Sequence, residues 1–191
     1  EPFNRAMFKF NNGLYDYLFR PVSKGYVKVT PAKVRDGLGN FFSNLCFPIR
    51  FVGDVLQGKF KRARLETGKF YVNTVAGLGG FIRISDDVPS IAKLPAEDTG
   101  QPGGAWGIHK GPYLVLPVLG PGTARDTVGL VGDYFLNPMH WNQLQYADGY
   151  HWWWDTTLQT TSTVNSLPGI LKLYDEQKKA ALDPYVAGRS A

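Results

Sequence analysis

The sequence predicts a mainly α protein folded as a single helical domain over residues 1–191. Three observations predict it. Apolar residues recur at helical spacing through most of the chain. The 22 glycines and 13 prolines cut that periodicity into helix-length segments. No alternating series of strand-like residues and no internal repeat accompanies them. At 191 residues, the chain is long enough to bury a core.

The first segment, FNRAMFKFNNGLYDYLFR (3–20), is the most informative. Wound as a helix, it aligns Phe3, Met7, Phe10, Leu14 and Leu18 in one stripe and Phe8, Tyr15 and Phe19 in a second. The two cover roughly 200° of the cylinder, twice what a surface helix needs. Arg5, Lys9, Asp16 and Arg20 crowd the remaining arc. Such a helix is either nearly buried, the first expectation, or it lies in a membrane interface with its charges toward water.

Pro21 and Pro31 punctuate the next stretch. A helix over 32–45 is weakened by Gly37 and Gly39, and a short one over 48–57 ends at Gly58. A longer helix runs from Lys59 to Ala76. The glycines of GLGGF (77–81) then lack the third glycine of a dinucleotide fingerprint, because Ile82 stands in its place, and they come after a helix. They read as a helix end and a tight turn. Residues 85–112 read as a long irregular loop, and helices resume over 123–136, loosely over 140–163, and over 168–182.

The stretch WGIHKGPYLVLPVLGPGTARD (106–126) fits none of these patterns. Pro117 excludes a regular helix and makes a poor central strand. The residues alone leave three uses open: lining a core, binding phosphate through the glycines, or meeting lipid.

Charge is uneven. Residues 1–72 carry 13 Lys/Arg against 5 Asp/Glu, a balance of +8, whereas the remainder stands at −3. A basic first third suits anionic partners: lipid headgroups, nucleic acid or an acidic protein face. The run KFKRAR (59–64) brings Lys59, Lys61, Arg62 and Arg64 forward as phosphate contacts. Nearby Phe60, Phe70 and Tyr71 fall at core spacing rather than as a base-stacking platform, which disfavours nucleic acid. HWWWD (151–155) spreads Trp152, Trp153 and Trp154 around most of a helix, so at least one is expected at a surface or an interface.

Enzyme signatures are missing from the sequence. His109, His140 and His151 show no metal-ligand spacing, no G-x-S-x-G elbow occurs, and the lone Cys46 reads as a small buried hydrophobe. We therefore expect no catalytic residues, no metal and no cofactor. A cryptic lipid hydrolase drawing on Ser43, Asp126 and His109 remains as a rival, as does a soluble nucleic-acid binder using KFKRAR. No stretch of 18 apolar residues occurs, so no helix is expected to span a bilayer. Beginning at Glu1, the chain reads as processed or trimmed.

Taken in order, FNRAMFKFN (3–11), RPV (20–22), GLGNFFSNL (37–45), LQG (56–58), FYVNTVAGLGGF (70–81), WGIHKGPYLVLPVLGPGTARDTVG (106–129) and DPYVAGR (183–189) resemble the MlaA/VacJ family of outer-membrane lipoproteins. The resemblance covers nearly the whole chain, and GPYLVLPVLGPGTARD is its most specific block. It implies a ring-like helical protein seated in the inner leaflet of the Gram-negative outer membrane, anchored by an acylated N-terminal cysteine that Cys46 cannot be. It further implies association with a trimeric porin, a central amphipathic pore that removes misplaced phospholipid from the outer leaflet, and delivery to a periplasmic carrier of the MlaC type. No reaction is catalysed in that scheme. Matched by motif, Phe3, Asn4, Met7, Phe8 and Phe10 belong to the wide-faced part of the ring. The segment through Trp106, Gly107, Gly111, Pro112 and Tyr113 corresponds to a flexible hairpin beside the pore. On that basis Phe3, Met7, Phe8, Phe10, Trp106, Tyr113, Leu114, Trp152 and Trp153 are expected to contact lipid.

Overall fold

The computed structural model describes residues 1–92, 107, 109, 111–141, 152–180, 183, 185 and 186; of Trp152 only the backbone is described. It is mostly helical, as the periodicity predicts. The elements are α1 (Pro2–Leu14), α2 (Arg20–Val29), α3 (Ala32–Leu45), α4 (Phe47–Leu56), α5 (Phe60–Val75), β1 (Tyr113–Leu116), β2 (Gly120–Thr123), α6 (Ala124–Leu136) and α7 (Trp152–Ala180). Short 3-10 turns lie at Ile84–Asp87 and Pro138–His140.

Pro21 does not end the first helix. A single π turn, Tyr15–Phe19, joins α1 to α2, and the Arg20 N–H donates to Tyr15 O, five residues back. Proline lacks the N–H that an α rung would need and its ring crowds the preceding turn. Widening that turn to π geometry is one way to keep the helix running to Val29. Similarly, the two helices expected over 140–163 and 168–182 are one helix within the described residues, with Pro168 inside it. Leu167 and Leu171, both buried, anchor it on either side of the proline.

The expected turn after α5 is present. Leu78, Gly79 and Gly80 all have positive φ, and the Gly79 N–H reaches back to Thr74 O. At the head of α6, Thr123 and Asp126 form a reciprocal capping box.

Packing joins α4 to α5, α2 and α3 to α7, and α1 to the β1–β2 hairpin. The interior is unusual in kind. Among the described residues, eight hydrophobic side chains are buried, including Phe42, Val115 and Leu167, but so are eight polar ones: Asn11, Ser23, Asn44, Asp54, Glu66, Asn73, Ser85 and Asp155. Most of these have partners. Asn73 and Ser85 bond each other twice, Asn44 donates to Thr74, and Arg50 pairs with Glu66 at 2.9 Å while donating to Ser43 O. Meanwhile the large apolar residues collect outside. Phe3, Phe10 and Leu18 are half or more exposed, so the first stripe of the opening helix is not buried, contrary to the first expectation. The second stripe is the packed one: Tyr15 stacks on Tyr174 and meets Phe19 edge-on, and Phe8 meets Tyr185. No described helix is long and apolar enough to cross a membrane.

Candidate functional site

The puzzling stretch around Pro117 is a β-hairpin. Strands β1 and β2 are antiparallel, pairing Tyr113 with Thr123 and Leu116 with Gly120. Pro121 lies opposite Val115. A two-stranded sheet has only edge strands, so proline is tolerated there. Pro117 falls in the turn, outside both strands. The apolar run is divided between a strand and its turn.

That turn is strained. The Leu119 N–H donates to Pro117 O across a three-residue turn, and the central Val118 has φ of 69°. A left-handed β-branched residue is a genuine outlier and costs about 1–3 kcal/mol. The surroundings must hold it.

They do so through α1. Asn4 donates its amide to Tyr113 O and accepts from the Val115 N–H; Asn11 donates to Leu116 O and accepts from the Val118 N–H. Each amide thus completes the open edge of β1 as a neighbouring strand would. The spacing fits: seven helical residues rise about 10.5 Å, and three strand residues about 10 Å. Asn11 is 4% exposed, so its amide clamps the strained turn away from competing water. The motif FNRAMFKFN (3–11) contains both asparagines, but only Asn4 was carried over from it, as part of the ring, and the clamp role of the pair was missed. The available signal was a pair of helix-disfavoured asparagines two turns apart in an apolar helix.

The C-terminal motif closes the same site. Asp183 accepts from the Tyr185 and Val186 N–H groups, Tyr185 is buried, and its ring meets Phe8, Tyr113 and the Arg5 guanidinium. Burial, and next the neighbouring Tyr185, push the Tyr113 phenol above its ordinary value. Beyond the clamp, the tip presents exposed Val118 and Leu119, and α6 presents exposed Val128, Val131 and Phe135 along one face. Such apolar exposure marks an interaction surface.

The expected site residues are distributed between the surface and the hairpin. Phe3 and Phe10 face outward, while Met7, Phe8, Tyr113 and Leu114 are partly buried beside the hairpin. Gly107 and Gly111 have φ of 75° and 73°, and Pro112 O accepts from the Ala124 N–H. A β-carbon at Gly111 would also approach Ala124 to 3.1 Å. Side chains at these two glycines would therefore strain the backbone as well as stiffen it. Trp153 and Trp154 are stacked and exposed, as the WWW run required, whereas Trp106 and the Trp152 side chain lie outside the described residues.

The basic run sits on α5, whose packing partners include α4 and α3. Lys61 and Arg64 are exposed, but Arg62 is 3.1 Å from the fully buried Asp54. This side chain neutralises an interior carboxylate while remaining 24% exposed.

Of the hydrolase candidates, Asp126 is held in the α6 capping box, and among the described residues no hydrogen bond joins Ser43, Asp126 and His109. Burial, reinforced by Asp133 and opposed by Arg50, raises the Cys46 thiol above its usual value. At neutral pH Cys46 should alkylate more slowly than a free thiol, with denaturant restoring the rate. Rapid alkylation of the folded protein, read by mass spectrometry, would contradict this environment.

The whole chain, residues 1–191, matches the MlaA lipoprotein family model. The intermembrane phospholipid transport system lipoprotein MlaA of Escherichia coli strain K12 is 31% identical over 193 residues, covering 100% of this chain and 73% of that protein. An uncharacterized protein of Rickettsia felis is 34% identical over 194 residues, with the same coverage of 100% and 73%. A chain solved in work on the structural basis for maintenance of bacterial outer membrane lipid asymmetry superposes with a TM-score of 0.79 at 28% identity. That match covers 99% of this chain and 92% of the other. With the family's most specific block folded as a hairpin clamped to its first helix, the chain belongs to the MlaA lipoprotein family.

Proposed function

We propose that this protein transports phospholipid in a system that maintains outer-membrane lipid asymmetry, without catalysing a reaction. The observation that carries this reading is the inverted distribution of polarity: polar groups paired inside and large apolar residues exposed on α1, the hairpin tip and α6. Water is a poor solvent for such a surface, and a single leaflet suits it without a spanning helix among the described residues. Relatives named for phospholipid transport support the same conclusion.

In this reading the protein is ring-like and sits in the inner leaflet at the periplasmic face of the Gram-negative outer membrane, beside a trimeric porin. Phospholipid passes through a central amphipathic pore and is handed to a carrier of the MlaC type. Moving a charged headgroup through hydrocarbon is expensive unless polar groups accompany it. A partly hydrated passage lowers that cost while the acyl tails stay in lipid. The clamped hairpin sits beside the passage, with Gly107, Gly111 and Pro112 forming its approach.

The test is flotation with zwitterionic and anionic liposomes at low and high salt, paired with measurement of outer-leaflet phospholipid in cells lacking their own family member. The protein should float in every condition and should clear the lipid. Failure to float on zwitterionic liposomes, or failure to clear, would overturn the reading. Replacing Asn11 with alanine should release the turn, cost about 1–3 kcal/mol, and sharply alter clearance in a protein that remains folded by circular dichroism. Unchanged clearance would remove the hairpin clamp from the mechanism.

A further inference from the structure

Basic residues outside KFKRAR are also gathered by the fold. α2 and α7 lie side by side, pinned at one end by Arg20 and Asp175 at 2.8 Å and at the other by the Tyr26 hydroxyl donating to Asn165 at 2.6 Å. Along this seam runs an open groove of about 550 Å³. Lys24 and Lys28 line it from α2, Lys172 and Lys179 from α7, and Val27 with Pro168 provides an apolar floor.

The electrostatics are unbalanced. Asp175 also lines the groove, but it is committed to Arg20, whose hydrogen bond holds its carboxyl below the ordinary range. Glu176 is the other lining carboxylate. No ion pair engages Lys24, Lys28, Lys172 or Lys179 among the described residues. Four lysines therefore line a groove with one uncommitted carboxylate, Glu176, and of the four Lys179 also acts electrostatically on Asp175. A phosphate fits the walls, and an adjoining hydrocarbon or glycerol segment fits the floor. The volume falls within the range of small-molecule sites.

We propose that the α2–α7 groove is a phospholipid site that holds the headgroup phosphate between its lysines and the first part of an acyl chain against Val27 and Pro168. This rests on the phospholipid-transport reading and gives that reading a defined headgroup position. The same first helix then offers its apolar half, Phe3, Phe10 and Leu18, to the leaflet and its basic half to the headgroup layer.

Three small-molecule probes test the site on the full chain, monomeric dihexanoyl phosphatidylglycerol, inorganic phosphate and octyl glucoside, with polyglutamate standing in for an acidic protein. Calorimetry measures affinity, and protection of lysines from acetylation, read by mass spectrometry, locates binding. The lipid should protect all four groove lysines and bind more tightly than either other probe. Substituting Lys24, Lys28, Lys172 and Lys179 together by glutamine should weaken lipid binding roughly tenfold to a hundredfold, after discounting for solvent screening. Val27→Ser, which removes apolar surface without adding charge, should reduce lipid affinity but leave phosphate affinity unchanged. Both variants alter exposed side chains, and footprinting of the wild-type protein decides the location even if one fails to fold.

Equal affinity for phosphate and lipid would reduce the groove to an anion site and overturn the proposal. So would full lipid affinity in the quadruple variant, or protection by polyglutamate but not by lipid, which would make the groove a contact for an acidic protein. If the wild-type chain floats and clears phospholipid while any of these results holds, only the groove assignment falls. If it neither floats nor clears, the transport reading falls first.

Discussion

Replacing Gly77 with alanine is expected to be among the most damaging single-methyl changes this protein can suffer. A β-carbon there would lie 2.1 Å from Ile82 O and 2.4 Å from Asn73 O. Both are backbone atoms, so no side chain can swing aside. Either the end of α5 or the turn through Ile82 must move, and the Ile82 N–H is itself bonded to Gly77 O. That movement would pull on the buried Asn73–Ser85 pair and on Gly80, which packs against Asn44. Overpacking usually costs about 1–3 kcal/mol. Here a buried hydrogen-bonded pair is disturbed as well, and we expect a loss of about 4–5 kcal/mol, the upper tail for point mutations. Gly68 is the control: it lies inside α5, and a β-carbon added there would meet nothing within 4 Å. Alanine at Gly68 should stabilise by about 0.5–1 kcal/mol. Chemical denaturation of the two variants should move the midpoint in opposite directions. A Gly77→Ala protein as stable as the wild type would show that the turn is packed more loosely than these distances require.

Removing Arg50 is expected to be comparably severe, for an electrostatic reason. Its Nε lies 2.9 Å from Glu66, whose side chain is 2% exposed, and its Nη1 donates to Ser43 O. Arg50→Met leaves a carboxylate in the interior with its cation gone, a change that costs about 3–5 kcal/mol. Glu66→Leu alone strands the guanidinium instead, in a less enclosed position at 12% exposure. The double variant Arg50→Met/Glu66→Leu should recover most of the loss, because it returns neither charge to the interior. Denaturation of the three variants forms a double-mutant cycle. If Arg50→Met cost no more than a typical surface substitution, the pair would have to be solvated and the interior would not be polar in this way.

Both predictions concern buried polar structure, which local sequence patterns reveal least. Periodicity located the helices of residues 32–75 to within a few positions, and the glycines of GLGGF marked their turn. The WWW run required exposed tryptophan, and Trp153 and Trp154 are exposed. Two prolines misled in the same direction. Pro21 and Pro168 are strong local breakers, but a π turn carries the chain past the first and buried leucines flank the second. Local propensity is weaker than a turn geometry or packing that the linear chain does not display. The Arg62–Asp54 pair was illegible for a similar reason: nothing in KFKRAR reveals that a carboxylate eight residues earlier is buried beneath it.

The candidate site divides along the same line. Helical content, the excess apolar arc of the first helix, the basic first third and the family's specific block were all determined by the sequence itself, since each depends on residues near one another in the chain. Which side of that helix faces outward, how Pro117 is accommodated, and which lysines share a groove were decided only by tertiary structure. Asn4 and Asn11 meet backbone more than a hundred residues away. Lys24 and Lys172 come together only because α2 packs on α7. Periodicity reports a stripe's width but not which solvent it meets; only the packing of the polar partners against one another turned the apolar stripe outward.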